Sequence, residues 1–237
     1  MSTELHFADT GEADLPVVLC LHSLFLDHTM FDRFAQAAAG QFRVLRPDFR
    51  GQGANPDATE LVTMDQCADD VLALVDDLGL ARVHIIAQSM GGDVAVRVAA
   101  RREGLVDRMV LLGSSARAEP QENLDAFRPI ADDVARRGFV GDVLETTMNI
   151  MFGQTALNDP ARADVIAHWR GRIAALSPGL APAIRGVIER ESAVELLPSI
   201  RARTLVVSGG EDPARPPEWS DELVAGIPGA ELWRLPA

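Results

Sequence analysis

Cysteine is nearly absent: only Cys20, inside the apolar run VVLCL, and Cys67, inside a helical pattern, occur. That excludes a disulfide framework and makes a reducing compartment the default. Positive charge is also scarce, with 22 basic against 35 acidic residues and a formal net charge of -13. Such a surface repels phosphate backbones and anionic lipid, so nucleic acid is not an expected partner. Long apolar runs are missing too. LPVVLCLHSLFL is too short to span a membrane and contains His22, and the opening MSTELHFADT has neither the basic nor the apolar region of a secretion signal. The expectation is a soluble, cytoplasmic protein. There is no H-E-x-x-H and no His/Cys cluster, so no metal is expected. Neither G-x-x-x-x-G-K nor G-x-G-x-x-G follows a strand, so no nucleotide cofactor is expected either.

What is present is a core-forming chain, 237 residues with 47% apolar side chains, sized for one domain or for a core with an insertion. Short β-rich runs recur at 17–22, 42–48, 83–88, 108–113 and 204–209. Near-continuous apolar strands of this kind are buried on both faces, which predicts a parallel sheet covered by helices. Between two of them TMDQCADDVLALVDDLG opens on a Thr63 cap with Gln66 three residues on, carries its apolar residues largely on one side and ends at Gly79. This is a crossover helix. From about Ser114 to Ile200 no β-rich run appears, and the period is helical, with prolines at 120, 129, 160, 178 and 182 dividing short helices. The fold class expected is α/β, a doubly wound, mostly parallel sheet with an inserted helical lid. The core would comprise 1–113 and 201–237, and the lid 114–200.

The stretch IIAQSMGG places Ser89 between a strand and a helix, with Ala87, Gly91 and Gly92 around it. A strand that turns sharply into a helix exposes a serine hydroxyl at the carboxyl end of the sheet, and bulky neighbours would clash there. Ser89 is therefore the candidate nucleophile, the bland alternative being a helix-capping serine. An oxyanion needs backbone N–H groups aimed at it in advance. Met90, next in sequence at the helix N-terminus, supplies one candidate, and Leu24, in the loop LHSLF after the first long strand, supplies the other.

These segments resemble the α/β-hydrolase family. LHSLF looks like its His-Gly oxyanion segment with Ser23 in the glycine's place. RPDFRGQGAN looks like its Asp-x-Arg-Gly-x-Gly loop, and AQSMGG is a near match to its nucleophile elbow with Ala87 for the first glycine. SGGEDPARPP looks like its acid loop. The resemblance covers nearly the whole chain in the family's order and is nearest to small esterase, enol-lactonase and haloperoxidase-like members with a helical lid. It implies Asp212 as the acid that orients a histidine base, with Glu211 as competitor. It also implies a histidine after Asp212, in the loop following the last strand, yet none occurs after His168. The expectation is that this histidine lies just beyond Ala237. The alternatives are a substitute upstream, His22 being the nearest in such a fold, or a hydrolase-like fold without hydrolase chemistry. His28 could line the pocket mouth, His168 could face the substrate, and His6 and His84 read as surface and sheet histidines.

Phe25, Met148, Phe152 and Trp169 are the expected substrate-lining side chains, and Arg50 and Arg117 conceivable counter-charges. The function expected is a serine hydrolase acting through an acyl-enzyme on a small to medium, mainly apolar carboxylic ester or lactone, without cofactor. The alternatives are a catalytically incomplete ligand-binding protein, or perhydrolase, lyase or C–C hydrolase use of the same site. Neither substrate identity nor oligomeric state is legible.

Overall fold

A computed structural model describes residues 4–236. Its centre is a seven-stranded sheet: β1 (Phe7–Asp9), β2 (Val17–Leu21), β3 (Arg43–Pro47), β4 (Val83–Gln88), β5 (Val106–Leu112), β6 (Arg203–Gly209) and β7 (Glu231–Leu235). The spatial order is β1-β3-β2-β4-β5-β6-β7, and every pairing is parallel except β1 against β3. Five of these strands, β2 to β6, match the β-rich runs of the sequence. The others are the edge strands β7 and β1, the latter with three residues, too few to show a period.

Alternation along β2 divides the core. Val17, Leu19 and Leu21 face one side with the larger apolar cluster, while Val18 and Cys20 face the other, beneath α1 (Asp32–Ala38) with Phe31, Ala35 and Ala38. Burial pushes both cysteine thiols up to about 12, so they pack as small apolar groups. The crossover helix α2 (Met64–Asp77) begins with the anticipated capping box: Gln66 N–H donates to Thr63 Oγ1 at 3.1 Å, and Thr63 N–H to Gln66 Oε1 at 2.9 Å. α3 (Met90–Arg101) follows β4 directly.

From β2 the chain steps to β3 on one side, where the earlier β1 forms the edge, and from β4 it builds the other way through β5, β6 and β7. The carboxyl ends of β2 and β4 therefore flank the crevice where an open α/β sheet binds ligands. Over it lies the helical segment between β5 and β6: α4 (Gln121–Arg137), α5 (Asp142–Met151), α6 (Gln154–Asn158), α7 (Ala163–Ala174) and α8 (Ala181–Ile188). Pro129 does not divide a helix as the sequence suggested but sits inside α4. It lies on the exposed face, where water can satisfy the carbonyl that loses its partner. The last helix, α9 (Pro217–Gly226), connects β6 to β7 and packs against both. Trp233 and Leu235 on β7 are exposed. Among the described residues no helix is long and apolar enough to cross a membrane.

A close backbone approach occurs at Gly91, where a Cβ would lie 2.2 Å from the Leu21 carbonyl oxygen. Gly171 in α7 is the opposite case, exposed with nothing within 4 Å of a Cβ. Gly91→Ala is expected to destabilise by about 1–3 kcal/mol, and Gly171→Ala to stabilise by about 0.5–1 kcal/mol. Denaturant titration of both variants checks the pair; equal effects would show that the α3–β2 contact is not constrained.

Candidate active site

Ser89 joins β4 to α3 with φ 48° and ψ -115°, a conformation that costs on the order of 1–3 kcal/mol for a residue with a Cβ. Its backbone holds it there. Ser89 N–H donates to Leu112 O at 3.0 Å, and Ser89 O accepts from Gly92 N–H at 2.8 Å and Asp93 N–H at 3.2 Å. Glycine at 92 is required as well, because a Cβ would meet Ser114 Oγ at 2.1 Å. Phe25 is the other non-glycine residue with positive φ, 70°, among the described residues, and it lines the same cavity as Ser89.

The loop after β2 is organised by His22, which is fully buried. Phe49 N–H donates to His22 Nε2 at 3.0 Å, so that nitrogen is the acceptor and Nδ1 carries the proton, donated to Ser23 O at 2.8 Å. Burial holds the imidazole below its ordinary range, outweighing the Ser23 carbonyl and Asp48. With both ring nitrogens engaged by backbone, His22 is a neutral brace and offers no free site for a proton from Ser89. The loop's far end is tied as well: Asp27 accepts from Thr29 N–H and pairs with Arg172 of α7.

Asp212 follows β6. Its Oδ1 accepts from Ala214 N–H at 3.0 Å and Arg215 N–H at 2.8 Å, while Oδ2 points across Gly113, whose Cβ position it approaches to 2.6 Å. Burial raises the Asp212 pKa, and the Arg215 and Ala214 N–H groups only partly offset this. Glu211, the competing acid, is turned away. It accepts from Thr155 N–H at 2.8 Å and Thr155 Oγ1–H at 2.6 Å and so fastens α6 to the sheet. Ser89 and Asp212 border one groove of about 550 Å³, with Gln88, Gly113, Leu235 and Pro236 on its rim.

On its other side Ser89 opens to a cavity of about 90 Å³ lined by Leu24, Phe25, Phe127, Ile130, Ile150, Met151 and Val187 among others. Of the side chains singled out in the sequence, Leu24 and Phe25 are in this lining, and Met148, Phe152 and Trp169 are not. On α5 the residues facing the cavity are Thr147, Ile150 and Met151, spaced i, i+3, i+4, which turns Met148 into the core. Phe152 ends that helix and packs on the core, and Trp169 lines a separate groove with His168, Met30 and Arg172.

The polar wall of the cavity was not anticipated. Arg215 Nη2 reaches Asp93 Oδ2 at 3.0 Å, and Arg190 Nη1 reaches Glu119 Oε2 at 2.8 Å. All four are buried, two cations with two anions, and both guanidiniums lie within 6 Å of the Trp219 ring. The partners come from distant parts of the chain, so no local pattern announces them. Arg50 and Arg117 are occupied elsewhere, by Asp70 and Glu222.

None of the five histidines lines the Ser89 cavity or the Asp212 groove. His84 lies on β4, 3.6 Å from Asp107, and His168 stacks edge-on against Trp169. His6 and His28 converge instead on Asp48.

Residues 16–237 match the alpha/beta hydrolase fold family. Among solved structures, a thermophilic esterase from Thermogutta terrifontis is 33% identical with a TM-score of 0.85, the match covering 98% of this chain and 84% of that one. The enol-lactonase from Burkholderia xenovorans LB400 is 28% identical with a TM-score of 0.87, covering 98% and 87%. By sequence, 3-oxoadipate enol-lactonase 1 of Acinetobacter baylyi is 27% identical over 205 residues, 86% of this chain and 74% of that protein. The chain belongs to the alpha/beta hydrolase fold family and is a hydrolase.

Proposed function

We propose that the chain is a serine ester hydrolase or lactonase for small, mainly apolar acyl groups. One observation carries this: Ser89 stands on a strained strand-to-helix turn between an apolar cavity and a groove that also holds Asp212. Ser89 Oγ would attack the carbonyl. The developing negative charge would be met by the backbone N–H of Met90, which opens α3 and has no acceptor within the helix, and by that of Leu24. The apolar walls and modest volume of the cavity favour a short acyl chain. Residues 114–200 act as the lid, since α4, α5 and α8 all contribute to the cavity wall. The esterase and enol-lactonase relatives support the reaction class.

Proton acceptance requires an imidazole in the groove between Ser89 and Asp212, where Asp212 Oδ2 would orient it. The groove has room for the ring. A second reading, ligand binding without turnover, is favoured by the placement of all five histidines away from Ser89. One experiment separates the two. For the 237-residue chain, hydrolysis of a p-nitrophenyl ester of a short acyl group is expected to rise saturably with added imidazole, above the rate of the same imidazole with Ser89→Ala. A linear rise identical in both proteins would support binding alone.

Asp212 links stability to pH. Its folded pKa is raised, so its relative contribution to stability is present below the ordinary aspartate range and is lost as pH climbs through the raised value. Asn keeps the two N–H bonds to Oδ1 and cannot ionise. Asp212→Asn is therefore expected to raise Tm at pH 7, with the gain shrinking at acid pH. It should also lower imidazole-stimulated turnover by at least tenfold. A Tm gain independent of pH would remove the assignment of a costly buried charge.

A further inference from the structure

Apart from the cavity and groove at Ser89, the densest meeting of ligand-type side chains is at the end of β3. Asp48 is fully buried there, and His6, from the segment before β1, and His28, from the turn after β2, both approach it. The three come from positions 6, 28 and 48, on three separate segments, and one ligand atom of each lies within 4.8 Å of the others.

The arrangement is directed. His6 Nδ1 and His28 Nδ1 are each 3.0 Å from the same oxygen, Asp48 Oδ2. The carboxylate is oriented by backbone: Oδ1 accepts from His28 N–H at 2.6 Å and Oδ2 from Ala54 N–H at 3.0 Å. His6 is anchored in turn, its N–H donating to Asn55 Oδ1 at 2.8 Å and its carbonyl accepting from Asp48 N–H at 2.9 Å. A partly exposed imidazole is thus held facing inward. The buried carboxylates Asp70, Asp93 and Glu119 each have an arginine partner. Among the described residues Asp48 is paired only with the two imidazoles.

We propose that His6 Nδ1, His28 Nδ1 and Asp48 Oδ2 bind a divalent late first-row transition ion, with zinc the ion this ligand set fits. Two imidazole nitrogens and one carboxylate oxygen leave a fourth tetrahedral position for water. Bond lengths of about 2.0–2.2 Å put tetrahedral ligand atoms about 3.4 Å apart. The 3.0 Å spacings need to open by only a few tenths of an ångström. On binding, each neutral ring changes tautomer by exchange with water: the proton that Nδ1 donated to Oδ2 is carried on Nε2 instead, and the freed Nδ1 lone pair and Oδ2 both face the metal. The Ala54 and His28 N–H groups serve as the outer shell that orients the carboxylate. The ion would pin the segment before β1, the loop carrying Leu24 and Phe25, and the loop after β3 to one point. The inference stands on these contacts alone and does not depend on the hydrolase mechanism.

The test uses the untagged chain after chelator treatment. Titration with Co²⁺ is expected to give visible d–d absorption of tetrahedral strength saturating at one equivalent, with Zn²⁺ displacing it and raising Tm. His6→Gln and His28→Gln should each weaken Co²⁺ binding at least tenfold. Because the His6 ring is partly exposed, His6→Gln should leave circular dichroism unchanged and lower the metal-free Tm only modestly, and it decides the matter even if His28→Gln folds poorly. Absence of saturable binding, or equal binding by parent and His6→Gln, would overturn the site and leave a hydrogen-bonded His–Asp–His cluster.

Discussion

The structure depends on one close contact: the first turn of α3 is pressed against the end of β2, with Gly91 facing the Leu21 and His22 carbonyls. No side chain fits between them. That contact sets how far the helix N-terminus projects above the sheet, and Ser89 is held at the apex with a backbone conformation that only the surrounding bonds make tolerable. The same approach brings the β2 loop beside the helix start, so Leu24 lines one cavity with Ser89 while Met90 stands next to Ser89 in the first turn of α3. The partial positive charge of the α3 N-terminus falls there too.

A second layer is electrostatic. All 22 basic residues are arginines, and planar guanidiniums suit buried, multi-bonded pairs better than ammonium groups do. Arg215, three residues after Asp212, is bound to Asp93 on α3, and Arg190, just past α8, is bound to Glu119. The network ties the acid loop, the serine's helix and the covering helices together beneath Trp219. Breaking such a buried pair by removing one partner costs about 3–5 kcal/mol, so the relative positions of Ser89 and Asp212 are strongly held.

Much of this was legible in the residues because it is local. Buried parallel strands read as continuous apolar runs, the Thr63–Gln66 box reads over four residues, and the small residues around Ser89 follow from crowding at a single turn. What escaped is either too short or too distant. β1 has no period to detect, and the lining of the cavity depends on the phase of α5, which put Ile150 and Met151 inside and Met148 behind them. The Arg190–Glu119 and His6–His28–Asp48 groupings join positions 20 or more apart, and only the folded sheet brings them together.

The central claim, that Ser89 is the nucleophile, is tested most directly by labelling. The chain would be incubated with an alkyl fluorophosphonate in the presence of imidazole, and its intact mass and peptides analysed. The account predicts one adduct per chain, on the peptide containing Ser89. An adduct on another residue, or none under conditions that label a known serine hydrolase, would contradict it.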